Sequence, residues 1–231
     1  MALPKLNTPT YELILPSTGK AVKYRPFLVK EHKILLTMSE ADDSETSRII
    51  RELVDVCTFK ELKVSSLPHF DIEYIFMNLR AKSISEKVNV IVTCDCGNKI
   101  DTSFSIDNLS IEKDPSHSNK IMLTDNVGIE MSYPNISDVI SIIDSNDSDK
   151  IMGLVESCVK GIFDSENYWE GANQTKEEID VFINSLTKEQ FDKIENFFVT
   201  APKIVQNIEC ECPECGKLNK ARLEGLHNFF V

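Results

Sequence analysis

Hydrophobic and polar positions change period several times along the chain, and each change marks an element. Tyr11-Glu12-Leu13-Ile14-Leu15 alternates, Pro16-Ser17-Thr18-Gly19 supplies turn residues, and Lys20 to Tyr24 returns. This predicts a β-hairpin over residues 10–25. Residues 28–39 then place Ile34, Leu35 and Met38 on one helical face, and the acidic run Glu40 to Glu45 reads as a solvated loop. Ile49, Ile50, Leu53, Val54 and Cys57 keep the spacing of a second helix. A third helix runs from about Pro68, a residue suited to a first turn, with Ile72, Ile75, Phe76 and Leu79 at i, i+3, i+4 and i+7.

At residue 87 the period drops to two. Lys87 to Thr93 alternates, Cys94-Asp95-Cys96-Gly97 turns, and Lys99 to Ile106 alternates back. Two further strands are predicted at Ile121 to Leu123 and Gly128 to Tyr133, with Lys113 to Asn119 a polar loop around Pro115. Helical spacing resumes at Pro134. Val139, Ile142 and Ile143 form a short apolar face, and Ile151, Leu154, Val155, Cys158, Val159 and Ile162 form the cleanest amphipathic helix. Residues 164–174, which hold Trp169, read as a loop. Thr175 with Glu178, and Thr187 with Gln190, match capping boxes that open two more helices. After Pro202, Ile204 to Glu209 reads as a strand, the knuckle Cys212 to Gly216 follows, and Leu218 to Leu223 leads away.

The expected fold is α+β: a small antiparallel β region with zinc-ribbon-like knuckles, N-terminal helices and a large helical insertion. The expected divisions are 1–86 (hairpin and helices), 87–133 (central β region with the first cysteine knuckle), 134–200 (helical insertion) and 201–231 (C-terminal strand pair with the second knuckle).

Composition narrows the function. Among 231 residues the formal net charge is −12, which weighs against a grip on duplex nucleic acid and favours a protein partner. The N-terminal stretch lacks an apolar signal core, and no run approaches a membrane span, so a cytoplasmic setting is expected. Glycine is scarce, with eight in the chain, and neither a Walker A nor a G-x-G-x-x-G string occurs.

Seven cysteines in such a chain argue against a disulfide framework. Five of them cluster in two turns. Cys212-Pro213-Glu214-Cys215-Gly216 is a C-x-x-C-G knuckle, whose glycine permits the turn that aims backbone N–H groups at sulfur. Cys94-Asp95-Cys96-Gly97 is a contracted form of it. Together, Cys94, Cys96, Cys212 and Cys215 supply four thiolates, the donor set of a closed structural zinc site. Cys210 is a fifth candidate, paired C-x-C with Cys212. Such a site leaves no coordination position for water, so its contribution is to folding. A thiol redox role for Cys212 and Cys215 is a rival, though thioredoxin-like motifs stand at a helix start and residues 217–223 read as extended. Cys57 and Cys158 sit on apolar faces and read as core.

Other chemistry is sparse. His32, His69, His117 and His227 fall in no H-E-x-x-H spacing, no G-x-S-x-G occurs, and no carboxylate pair stands out as acid and base, so no catalytic residue is assigned. Lys217, Lys220 and Arg222 form the one basic cluster on the ribbon, which a nucleic-acid or transcription adaptor would need. Arg25-Pro26-Phe27 and the tail Leu226 to Val231 are candidate partner contacts as well as candidate core.

Three passages carry a family resemblance: ALPKLNTPTYELILPSTGK followed by KYRPFLVKEHKILL, the central TCDCG, and ENFFVTAPKIVQNIECECPECG followed by LEGLHNFF. Over nearly the whole chain they resemble the baseplate hub assembly proteins and hub subunits of T-even-type contractile-tailed bacteriophages. The resemblance implies a late viral protein that is not an enzyme and takes no small-molecule substrate. It would contact other baseplate hub proteins, in the host cytoplasm during assembly or in the tail baseplate of the virion. The cysteine ligands are the only site residues it carries over.

Overall fold

The computed structural model describes residues 6–36, 43–106, 109–140 and 148–224. These form two compact units. One comprises residues 1–112 with 203–231, the other residues 113–202. The α+β class is observed.

The first unit opens with β1 (Tyr11–Ile14) and β2 (Ala21–Tyr24), paired antiparallel with Tyr11 opposite Tyr24. Gly19 closes the turn at φ +68°, a left-handed conformation that glycine adopts without steric cost. Alternation turns Leu13, Val22 and Tyr24 inward. α1 (Val29–Leu35), α2 (Asp43–Cys57) and α3 (His69–Ser83) follow. The acidic run is therefore partly helical, since α2 starts at Asp43. Acidic residues suit a first helical turn because its N–H groups are unpaired there.

α3 is the centre of this unit. Phe70, Ile72, Ile75, Phe76, Met77 and Leu79 are all buried, which requires neighbours on every side of the helix. Polar ties fix those neighbours. Buried Asp71 accepts the Ser17 backbone N–H at 3.0 Å and also pairs with the Ser17 hydroxyl, joining the β1–β2 turn to α3. Arg25-Pro26-Phe27 is a fastener: the Arg25 N–H donates to the Cys57 carbonyl and its guanidinium pairs with buried Glu31 at 3.0 Å. The Phe27 N–H donates to Ser83 Oγ, and its ring meets Phe76 at 5.8 Å.

β3 (Lys87–Thr93) and β4 (Lys99–Ser105) form a two-stranded hairpin. β5 (Ser110–Glu112), β10 (Lys203–Glu211) and β11 (Leu218–Glu224) form a sheet in the order β11-β10-β5. β5 was not expected; three residues are too few to establish a period. Its pairing with β10 sets Glu112 opposite Lys203. The chain thus leaves this unit and returns to it at adjacent positions.

The second unit carries a four-stranded antiparallel sheet of β6 (Lys120–Met122), β7 (Gly128–Met131), β8 (Val159–Phe163) and β9 (Tyr168–Glu170), in that order. With it stand α4 (Ile136–Ile140), α5 (Ser148–Ser157), α6 (Lys176–Asn184) and α7 (Lys188–Thr200). Two expectations fail here. The amphipathic helix stops at Ser157, and Val159 to Phe163 is a strand. Its β-branched and aromatic residues favour the extended form, Gly161 disfavours a continued helix, and β7 supplies its partner. The presumed loop 164–174 contains β9. Both capping boxes are formed: Glu178 and Gln190 accept the Thr175 and Thr187 N–H groups at 2.8 Å, and each threonine hydroxyl accepts in return.

Ile129, Met131, Val155, Cys158, Val159, Ile179, Ile183, Ile194 and Phe197 make one core. His117 fastens the loop before β6 to it. Its Nδ1 lies 2.9 Å from Thr200 Oγ1 and its Nε2 2.8 Å from the Tyr133 hydroxyl. Thr200 donates its proton to the Asn196 carbonyl, so it accepts from Nδ1–H, and the Tyr133 hydroxyl beside Nε2 also reaches Asn119 Oδ1 at 3.3 Å. The ring also stacks on Tyr133 and Phe197. Burial, then Lys113, holds the imidazole below its ordinary value.

A group that folds neutral resists protonation more than its unfolded form. Below about pH 6.5 the unfolded chain therefore binds more protons here and stability falls. His117→Gln keeps a donor and an acceptor but removes the titration. The expected result is a smaller loss of melting temperature in this variant than in the parent between about pH 7 and about pH 5. Equal losses would show that His117 contributes nothing to the acid sensitivity.

Candidate metal centre

Two hairpins position the thiols. In the first, Thr93 and Lys99 are the last paired residues, leaving Cys94 to Asn98 as the connection. In the second, Glu211 and Leu218 close the ladder, leaving Cys212 to Lys217. Both turns fold alike. Cys94 N–H donates to the Asn98 carbonyl and Cys212 N–H to the Lys217 carbonyl, each at 2.9 Å. Gly97 and Gly216 then donate back to the carbonyls of Cys94 and Cys212, at φ +87° and +69°. The first turn completes this pattern with one residue fewer, so a C-x-C spacing serves where the second turn uses C-x-x-C.

The Sγ atoms of Cys94, Cys96, Cys212 and Cys215 lie within 4.8 Å of one another, close enough to share one metal ion. Contacts cross between the hairpins: Cys94 to Cys215 at 3.7 Å and Cys96 to Cys212 at 3.6 Å. Cys94 and Cys212 are buried, while Cys96 and Cys215 are exposed. Cys210 stands outside this group; it packs with Cys94, Ile100 and Cys212 as part of a small apolar cluster. Cys57 and Cys158 are buried, and burial pushes their thiols up to about 11 and about 12. They are core residues. His32, His69 and His117 lie outside the four-sulfur group. His227 and the tail Leu226 to Val231 fall outside the described residues.

Backbone geometry sets the charge of the sulfurs. The Cys215 N–H, with help from Glu214 and Asn98, lowers the Cys212 thiol to about 6 against the opposing effect of burial. The Cys96 N–H likewise acts to lower the Cys94 thiol, assisted by the Cys96 thiol, Cys215 and Asn219. The second thiol of each knuckle moves the other way. The Asn98 N–H acts to lower Cys96, but the neighbouring sulfurs outweigh it and push Cys96 up to about 12. Cys215 is raised by Cys212 and Cys94 despite the Lys217 N–H. Four sulfurs that repel one another's charge, with N–H donors already aimed at them, suit a cation at their centre.

Residues that spacing did not single out complete the site. Asn98 Nδ2 donates to Cys212 Sγ at 3.6 Å across the hairpins, and Asp95 pairs with Lys217 from one knuckle to the other. Nothing in the spacing ties Asn98 to a sulfur, and Lys217 stands out only as part of the basic cluster; the meeting of the hairpins gives both their partners. The basic cluster on the second hairpin is already paired: Lys217 with Asp95, Lys220 with Glu209 at 2.6 Å, and Arg222 with Glu112 at 2.8 Å.

Residues 8–231 match the family model described as T4 bacteriophage base plate protein. The chain belongs to that family. It is 25% identical over 214 residues to the Baseplate hub assembly protein gp26 of Enterobacteria phage T4, covering 92% of this chain and 93% of that protein. No solved structure matches it. Among the described residues, no helix is long and apolar enough to cross a membrane.

In metal-free protein, the first thiolate to form on raising the pH should be Cys212, with a midpoint of about 6. Thiolate ultraviolet absorbance measures it. The expected first step disappears in Cys212→Ser and persists in Cys210→Ser; an unchanged titration in Cys212→Ser would contradict the assignment.

Proposed function

We propose that this protein acts in assembling the central hub of a phage tail baseplate, through contacts with other baseplate proteins, and that one zinc ion held by Cys94, Cys96, Cys212 and Cys215 ties its two hairpins together. The functional part rests on one observation: near end-to-end similarity to a relative named as a baseplate hub assembly protein. The site supports the rest. Zinc bonded to four thiolates at about 2.3 Å has sulfur–sulfur edges of about 3.8 Å. The cross-hairpin pairs, at 3.6 and 3.7 Å, already approach that figure.

Four thiolates close the coordination shell, so the ion would stabilise the fold and would not activate water. In this reading the protein is not an enzyme. It works in the host cytoplasm while the hub is built, or within the baseplate itself. The nucleic-acid adaptor reading needs free cations on the ribbon, and Lys217, Lys220 and Arg222 are occupied by carboxylates. The redox reading needs an accessible thiolate. Cys212 is 1% exposed and its knuckle joins two strands, with no helix start beside it.

Co-expression with the other baseplate proteins of the same phage should yield a stable complex on co-purification. Failure of all of them to bind would contradict the assembly reading. For the metal, the expectation is about one zinc per chain by elemental analysis. Serine at any of the four positions should remove it and lower the melting temperature by roughly 10 °C or more, whereas Cys210→Ser should retain it. Zinc-free parent protein with unchanged melting in chelator would sink the zinc assignment.

A further inference from the structure

The outer face of the β6-β7-β8-β9 sheet belongs neither to the core nor to the thiol site. Strand register sets Met122, Gly128, Phe163 and Tyr168 in one row across it, and Lys120, Glu130, Gly161 and Glu170 in the next. Glycine in a strand interior leaves a gap on the sheet surface. Here rings lie over both gaps. A Cβ on Gly128 would meet Phe163 Cζ at 2.3 Å, and one on Gly161 would meet the Tyr168 hydroxyl at 2.3 Å. The result is a low, flat aromatic platform. Met122 and Tyr168 at its two ends remain 47% and 48% exposed. β9 lies at the sheet edge, with all three residues exposed.

Charge says what fits there. Residues 113–202 hold 17 Asp and Glu against seven Lys and no Arg, a net −10, whereas the rest of the chain carries −2 of the total −12. On the face itself, Lys160 is paired with Glu130 at 2.6 Å and the Lys120 ammonium sits 6.0 Å from the Phe163 ring centroid. The apolar row abuts both hairpin turns of the sheet, and these turns carry exposed Asp125 and Glu166.

We propose that this face docks a protein partner that presents lysine or arginine side chains around an apolar contact. A second copy of the chain would bring another −10 unit against the first, and nucleic acid would bring phosphates; like-charge contact opposes both. Beside the apolar row Lys120 and Lys160 are offset by Glu130 and Glu170, and Lys193 is held by the Met122 and Leu123 carbonyls, so the acidic excess sits at the two turns, on Asp125, Asp164 and Glu166. An apolar anchor with acidic ends pairs desolvation with steering of basic side chains. The proposal rests on the assembly reading and adds which face, and which charge, the partner meets.

The test titrates the full chain with each other baseplate protein of the same phage, purified singly, by calorimetry. Tyr168→Ser and Met122→Ser are each expected to weaken the complex at least about fivefold, with Tyr168→Phe unchanged. Asp125→Lys with Glu166→Lys should weaken it further and flatten its salt dependence. Unaltered melting and metal content in the variants show that the fold is intact. If a baseplate protein binds parent and all variants alike, or binds better in high salt, the docking face is refuted while the assembly reading stands. If none binds the parent, both are refuted.

Discussion

The meeting of two cysteine turns is the constraint on which the first unit depends. Cys94 and Cys215 are 121 positions apart, and closing a loop of that length costs roughly 4 kcal/mol beyond the constant term. Neither hairpin can meet that cost alone, because an isolated two-stranded hairpin is marginal in water. Two contacts share the task. Pairing of β5 with β10 brings Glu112 opposite Lys203 and fixes where the intervening 113–202 unit departs and returns. The thiol cluster fixes the far ends of the two hairpins, with Asp95–Lys217 and Asn98–Cys212 contacts beside it. A metal ion would convert four mutually repelling sulfurs into the strongest of these ties.

Much of this was legible in the sequence because the relevant forces are local. Alternation showed the β3–β4 and β10–β11 strands, apolar spacing showed α2 and α3, and threonine with Glu178 or Gln190 showed where α6 and α7 start. The four thiols were legible because knuckle chemistry is written in spacing. What failed was decided at a distance. Val159 and Ile162 fit the helical period but not that of a regular strand, where residues three apart face opposite sides; pairing with β7 selects the strand, and a bulge opposite Glu130 and Met131 turns both side chains to the core. β5 and β9 have three residues each, too few for any period. The Ser17–Asp71 clasp and the His117 network join residues far apart in sequence, so no window reveals them. Cys210 was ambiguous by spacing; its place in the apolar cluster beside the sulfurs depends on how the two hairpins meet.

The two units divide the chemistry. The one that holds the thiol cluster is nearly neutral and is stitched by internal ion pairs. The inserted one carries almost all the excess negative charge and an aromatic sheet face. Such a division suits the proposed role in contacts, with one part holding its shape and the other offering the proposed docking face. Family membership agrees with that description, and the proposed closed thiolate site would add no reactive position to it.

X-ray absorption at the zinc edge, on protein purified without added metal, tests the central claim most directly. The account expects a single shell of four sulfur scatterers at about 2.3 Å. A shell of nitrogen or oxygen ligands, or no bound zinc at all, would contradict it.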